Sequence, residues 1–262
     1  MVTQNDVLLS TLVFARLSGL ALTVPGFGIR EIPFWLRILP ALAMSLLISP
    51  FMLHQSAPHA TCSLHFFLLF GIEALLGAVI GFGIFVLIYG MSLAGELLAR
   101  AAGLSLAEVF DATVEENTPA ISRLLLLLTM VVFFCLGGHR AVAAGLLEMF
   151  RNLPPGLSAL PASLKECFTA LVSESFLLGL RVAAPTVTAL LSVTLALALL
   201  GRTIPQLNFP STGSSLNALL VLAGTMFMLG AGVWVFQEQL QPALETIFSA
   251  FGITVQTTWP AY

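Results

Sequence analysis

Five charged residues interrupt otherwise apolar sequence: Arg16, Arg37, Glu73, Glu174 and Arg181. A charge at the centre of a bilayer costs roughly 2.5–3.5 kcal/mol or more, so each of these needs a partner or water. Carboxylates in such places can relay protons or ions, or they can pair with guanidiniums on neighbouring helices. Both readings stay open, although no cluster of acids converges as a relay requires. Glu73, Gly77 and Gly81 recur at one-turn spacing, which sets a carboxylate on the same seam as small residues and predicts a closely packed neighbouring helix. Glu96 and Arg100 have the order and spacing of a helical ion pair, and Glu174 and Arg181 lie two turns apart on one face.

Other candidates are weaker. His59, Cys62 and His65, with His54 nearby, could bring three ligands together, but a fourth is not apparent and no metal is expected. His139 follows Gly137 and Gly138 and reads as a helix-end hydrogen-bonding residue. Cys62, Cys135 and Cys167 lie in or beside apolar sequence and read as small core residues, not a disulfide framework. Zincin, phosphate-loop and nucleophile-elbow motifs are missing, and Lys165 falls in a loop, so neither enzyme activity nor a cofactor is expected.

The elements that carry these residues follow from composition. Of 262 residues 58% are hydrophobic and 9% charged, whereas soluble domains carry roughly 25% charge. This is a membrane composition, and a net charge of −3 argues against a nucleic-acid partner. Nine of the ten basic residues are arginine, the residue better suited to buried and interfacial pairs. The first residues carry no basic run and no cleavage site, so no cleaved signal peptide is expected.

Apolar segments run over about 7–24, 34–53, 64–94, 120–147, 168–200 and 214–237. They lack period-two alternation and are rich in Leu and Ala, which predicts about six long helices in one all-α membrane unit. Pro25, Pro33, Pro50, Pro58, Pro154, Pro155, Pro161, Pro205 and Pro210 punctuate the connections, and Thr118-Pro119 predicts a capped start to the fourth helix. Pro40 and Pro185 sit inside apolar runs and predict kinks or breaks. In the loop 95–119, Leu106, Val109 and Phe110 cluster beside Glu108, Asp111, Glu115 and Glu116. Such a loop can gate a wet path by excluding water, or it can tuck a helix end into the core.

Several strings together resemble one family. They are Arg16-Leu-Ser-Gly-Leu-Ala-Leu-Thr-Val-Pro25, the stretch Gly95-Glu96 to Phe110-Asp111, Phe133 to His139, Phe150-Arg151-Asn152-Leu153-Pro154, Leu180-Arg181-Val182-Ala183-Ala184-Pro185 and Arg202-Thr203-Ile204-Pro205-Gln206-Leu207-Asn208-Phe209. In this order and spacing they resemble the FliR family of flagellar export-gate proteins and its counterparts in virulence-type type III secretion. The resemblance implies a single-copy, non-enzymatic subunit of a FliP–FliQ–FliR core, with an FlhB-like subunit associated, in the inner membrane at the flagellar basal body. It also implies bent helical hairpins around a channel for unfolded export substrates. The plug of that channel maps onto Leu106, Val109 and Phe110, within a loop of about 103–118. One unit over 1–262 is implied, with N-terminal helices to 167 and a C-terminal hairpin over 168–262. Arg16, Glu73, Glu96, Arg100, Glu174, Arg181 and Arg202 are then expected to hold helices or subunits together, Gly77 and Gly81 to pack helices, and Pro205, Gln206 and Asn208 to form the family's loop. After Asp111 the chain runs Ala-Thr-Val-Glu-Glu where the family usually continues with proline. A secondary transporter is the competing membrane class, and it would show an inverted repeat with matched broken helices.

Overall fold

The computed structural model describes residues 4–24, 34–52, 63–103, 118–156, 161, 163–203 and 209–253, and among them the regular structure is α-helix. In chain order the helices are α1 (Gln4–Thr23), α2 (Phe34–Met52), α3 (Ser63–Ala101), α4 (Ala120–Cys135), α5 (Gly138–Asn152), α6 (Leu164–Thr203) and α7 (Phe209–Ser249).

Several departures from the sequence expectation have local causes. The apolar segment 120–147 is not one helix. Gly137 takes φ +78°, a left-handed conformation that costs glycine little, and the chain restarts at Gly138 as α5. The start of α4 is capped by no side chain: Pro119 itself holds the cap position at φ −55°, ψ 140°. Conversely, α6 runs without interruption through Pro185, and α2 through Pro40. A proline removes one ladder bond, and the flanking turns keep theirs. The last helix also outruns its apolar segment, because Gln237, Glu238, Gln239 and Leu240 are good helix formers although three of them are polar.

The described helices fall into two compact units. The first comprises Met1–Leu87, Gly137–Val172 and Gln241–Tyr262; the second comprises Ile88–Leu136 and Ser173–Leu240. Helices α3, α6 and α7 contribute a segment to each.

In the first unit α1 packs on α2, where the hydroxyls of Ser10 and Ser49 are bonded, and crosses α3 at very short range. A Cβ added at Gly77 would stand 1.8 Å from the carbonyl oxygen of Arg16, and one at Gly19 would stand 1.9 Å from that of Ala74. Only glycine allows that approach. Helix α5 buries Ala141, Val142, Gly145, Leu146, Met149 and Phe150, a stripe spaced by helical turns. Leu12, Leu76, Ile80, Ile84, Phe150 and Phe248 are among the fully buried residues of this core.

The second unit uses the same device. Cβ atoms at Gly90 and Gly179 would each lie 2.6 Å from a backbone oxygen of the opposite helix, so α3 and α6 meet backbone to backbone. Ile88, Met91, Leu98, Leu125, Leu178, Val182, Met228 and Phe236 fill the interior. Outward from it, Phe176, Leu180, Leu191, Leu195, Leu222, Met226 and Trp234 are exposed. That is far more exposed apolar surface than a solvated protein carries.

Candidate functional site

The charged residues that the sequence scatters along the chain do not behave alike. Arg16 and Glu73 meet in the first unit and are both fully enclosed. Glycine contact between α1 and α3 places them there: Arg16 lies three residues before Gly19, and Glu73 lies four before Gly77. The guanidinium donates from Nε to Glu73 Oε2 at 2.7 Å, and its Nη2 lies 2.6 Å from the same oxygen. Its Nη1 donates to the carbonyl of Leu153 at 3.2 Å, and its carbon sits 4.7 Å from the centre of the Phe150 ring. The other carboxylate oxygen accepts from the backbone N–H of Gly156 at 2.8 Å.

This site is saturated. The carboxylate accepts from a guanidinium and a peptide N–H, and the aromatic face covers the cation, so neither ion lacks what burial demands. The arrangement joins α1, α3 and the Leu153–Gly156 turn after α5 at one point. Sequence reasoning singled out Arg16 and Glu73 separately. It missed their pairing, together with Phe150, Leu153 and Gly156; the Pro154-Pro155-Gly156 turn signal marked the loop without indicating what it touches.

Gly81 lies on the same face of α3 one turn further, where a Cβ would stand 2.0 Å from the hydroxyl oxygen of Thr23. Glu96 and Arg100 form their ion pair on α3 in the second unit, largely exposed. Exposed pairs of this spacing contribute about 0.3–0.5 kcal/mol. Changing Glu96 to Gln is therefore expected to leave the melting midpoint of the purified chain within about 2 °C, a shift readable by thermal scanning. An effect on complex yield without that shift would place the role of Glu96 between subunits.

Glu174 and Arg181 do not pair, although they lie two turns apart on α6. Glu174 is half-buried, and its Oε2 is enclosed without a hydrogen-bond partner. Arg181 is exposed and makes no ion pair among the described residues. Arg202 is exposed in the last turn of α6, where a cation suits the helix dipole. Leu106, Val109, Phe110, Pro205, Gln206 and Asn208 lie outside the described residues, as do His54, His59 and Cys62.

Among the described residues three helices are long and apolar enough to cross a membrane, Leu64–Ala101, Leu164–Thr203 and Ala218–Ser249, and the bent pair Ala120–Cys135 and Gly138–Asn152 passes the same test as one span. With a core of buried glycine contacts and a buried ion pair, they define an all-α multi-pass membrane protein. A family model described as bacterial export proteins, family 1, matches residues 7–243. The flagellar biosynthetic protein FliR of Escherichia coli K12 is 31% identical over 216 residues, 79% of this chain and 81% of that protein. FliR of Caulobacter vibrioides is 25% identical over 251 residues, 93% of this chain and 97% of that protein. The secretion system apparatus protein SsaT of Salmonella typhimurium is 29% identical over 151 residues, 57% of this chain and 58% of that protein. The chain belongs to this family of FliR-type bacterial export proteins.

Proposed function

We propose that this chain is a non-catalytic subunit of the flagellar type III protein export gate, helping to form and seal the channel through which unfolded flagellar proteins cross the inner membrane. The observation that carries this reading is the family match across residues 7–243, nearly the whole chain. The physical features agree in kind. The strongest candidate for acid–base chemistry, Glu73, is tied up in a structural pair, and the outer faces of α6 and α7 are apolar enough to need cover. FliP-like, FliQ-like and FlhB-like subunits are the partners that provide that cover, and the assembly belongs to the basal body.

Sealing falls to Leu106, Val109 and Phe110. An apolar constriction empties of water and so stops ions, yet yields to an entering polypeptide. Replacing all three by glycine is expected to raise ion leak across the inner membrane and slow growth when the complex is overproduced, measured by ion-dependent growth and dye depolarisation. An unchanged leak would remove these residues from the plug.

The reading as a whole is tested by deleting the gene and assaying hook and filament proteins in the culture medium. Loss of secretion, restored by the intact gene in trans, is expected; undiminished secretion would refute it. Secretion of flagellar proteins preserved with loss of a virulence-type substrate would move the chain to the branch that SsaT represents.

A further inference from the structure

One face of α6 carries two opposite charges, and neither makes an ion pair among the described residues. Glu174, Leu177, Arg181, Ala184, Thr188 and Leu191 follow one another at alternating steps of three and four residues, so they form a single seam about 26 Å long. Leu177, Arg181, Thr188 and Leu191 are exposed, and Glu174 and Ala184 are half-buried, which puts the seam on the outside of the second unit. Thr188 donates its hydroxyl to the carbonyl of Ala184 at 2.7 Å and asks nothing of a neighbour. Arg181 and Glu174 do.

Lipid alone does not satisfy this face. Exposed apolar side chains flank Arg181 on both sides along the axis, Phe176 and Leu177 before it and Leu191 and Leu195 after it. With Arg181 at the headgroups, those on one side lie outside the hydrocarbon. With both sides in hydrocarbon, the guanidinium lies inside it, where a charge without a partner is costly. Glu174 adds a second charge to the same stretch. Its Oε2 is enclosed by the chain, so contact with a neighbour falls to Oε1, which is not enclosed.

We propose, resting on the reading of the chain as one subunit of a gate, that this seam docks a helix of a neighbouring subunit that sets a carboxylate against Arg181 and a basic side chain against Glu174. The two charges lie about 11 Å apart on one face, and a helix laid along the seam presents its own side chains at that spacing. The three–four step is the pattern of helices that cross at a shallow angle, and the small side chain of Ala184 lets the neighbour come close. Arginine favours a carboxylate, which its planar fork can bind through two hydrogen bonds. A lipid phosphate would answer Arg181 and leave Glu174 unanswered. Two opposite charges at fixed positions also select which neighbour docks and in which register.

The test co-expresses the tagged full-length chain with the other subunits of the assembly and measures how much of each neighbour co-purifies. Arg181→Leu, a favourable change against lipid, is expected to lower recovery of one neighbour by about tenfold or more, and Glu174→Gln by a few-fold. The melting midpoint of each variant purified alone should stay within about 2 °C of the parent, because these contacts are made between subunits. Arg181→Glu should abolish recovery, and lysine in place of one acidic residue on the neighbour's helix should restore it. Undiminished recovery of the Arg181→Leu complex would overturn the proposal. So would a lowered midpoint of the lone Arg181→Leu chain, or recovery restored by added phosphatidylglycerol, since the guanidinium would then serve the chain itself or a lipid headgroup. A parent chain that co-purifies with no neighbour overturns the gate reading and this contact together. A parent and an Arg181→Leu variant that assemble equally well remove this contact alone.

Discussion

Replacing Glu73 by alanine is expected to destabilise the chain by about 3–5 kcal/mol, the loss typical when one member of a buried ion pair is removed. The substitution leaves the Arg16 guanidinium enclosed without its carboxylate, beside the Leu153 carbonyl and the Phe150 ring, and the Gly156 N–H loses its acceptor. The uncompensated charge, rather than the lost attraction, dominates the effect. A sharper expectation follows: Arg16→Met combined with Glu73→Leu should recover most of the loss, because it removes both charges and fills the space. Thermal unfolding of purified variants measures both. A Glu73→Ala variant within about 1 kcal/mol of the parent would show that the pair is not enclosed as described.

Gly77→Ala is the second large effect. Overpacking usually costs about 1–3 kcal/mol because side chains can shift. Here the added methyl meets a backbone carbonyl, that of Arg16, at 1.8 Å. Relief would require moving α1 away from α3, which would pull Arg16 from Glu73 as well. A loss at or above the upper end of that range is expected, with little folded protein recovered. Gly71→Ala on the same helix meets nothing within 4 Å and serves as the control. It should be neutral or stabilising by up to about 1 kcal/mol, since alanine favours a helix more than glycine does. Equal effects of the two substitutions would contradict the close crossing.

Those two expectations also mark how far the sequence could be read. The all-helical membrane class is legible in composition and long apolar runs, because burial in lipid or protein demands them. The small-residue seam of Glu73, Gly77 and Gly81 is legible too, because helical periodicity is local. Its partner is not: Arg16 lies 57 residues away, and hydropathy says nothing about which helices meet. The division of 120–147 into α4 and α5 turns on the left-handed conformation of one residue, Gly137, and glycine in membrane helices more often serves packing. Along α6, Glu174 and Arg181 share a face at two-turn spacing and do not pair with each other. A side chain one turn away is within reach, whereas two turns is about 11 Å along the axis.

As one part of a multi-subunit gate, this chain is expected to have its apolar faces covered by neighbouring subunits. Affinity purification of the tagged chain from native membranes, with the mass of the intact complex measured, tests it most directly. The expected result is co-purification of FliP-like and FliQ-like subunits around a single copy of this chain. A stable, lipid-solvated monomer that catalyses movement of a small solute by itself would contradict it.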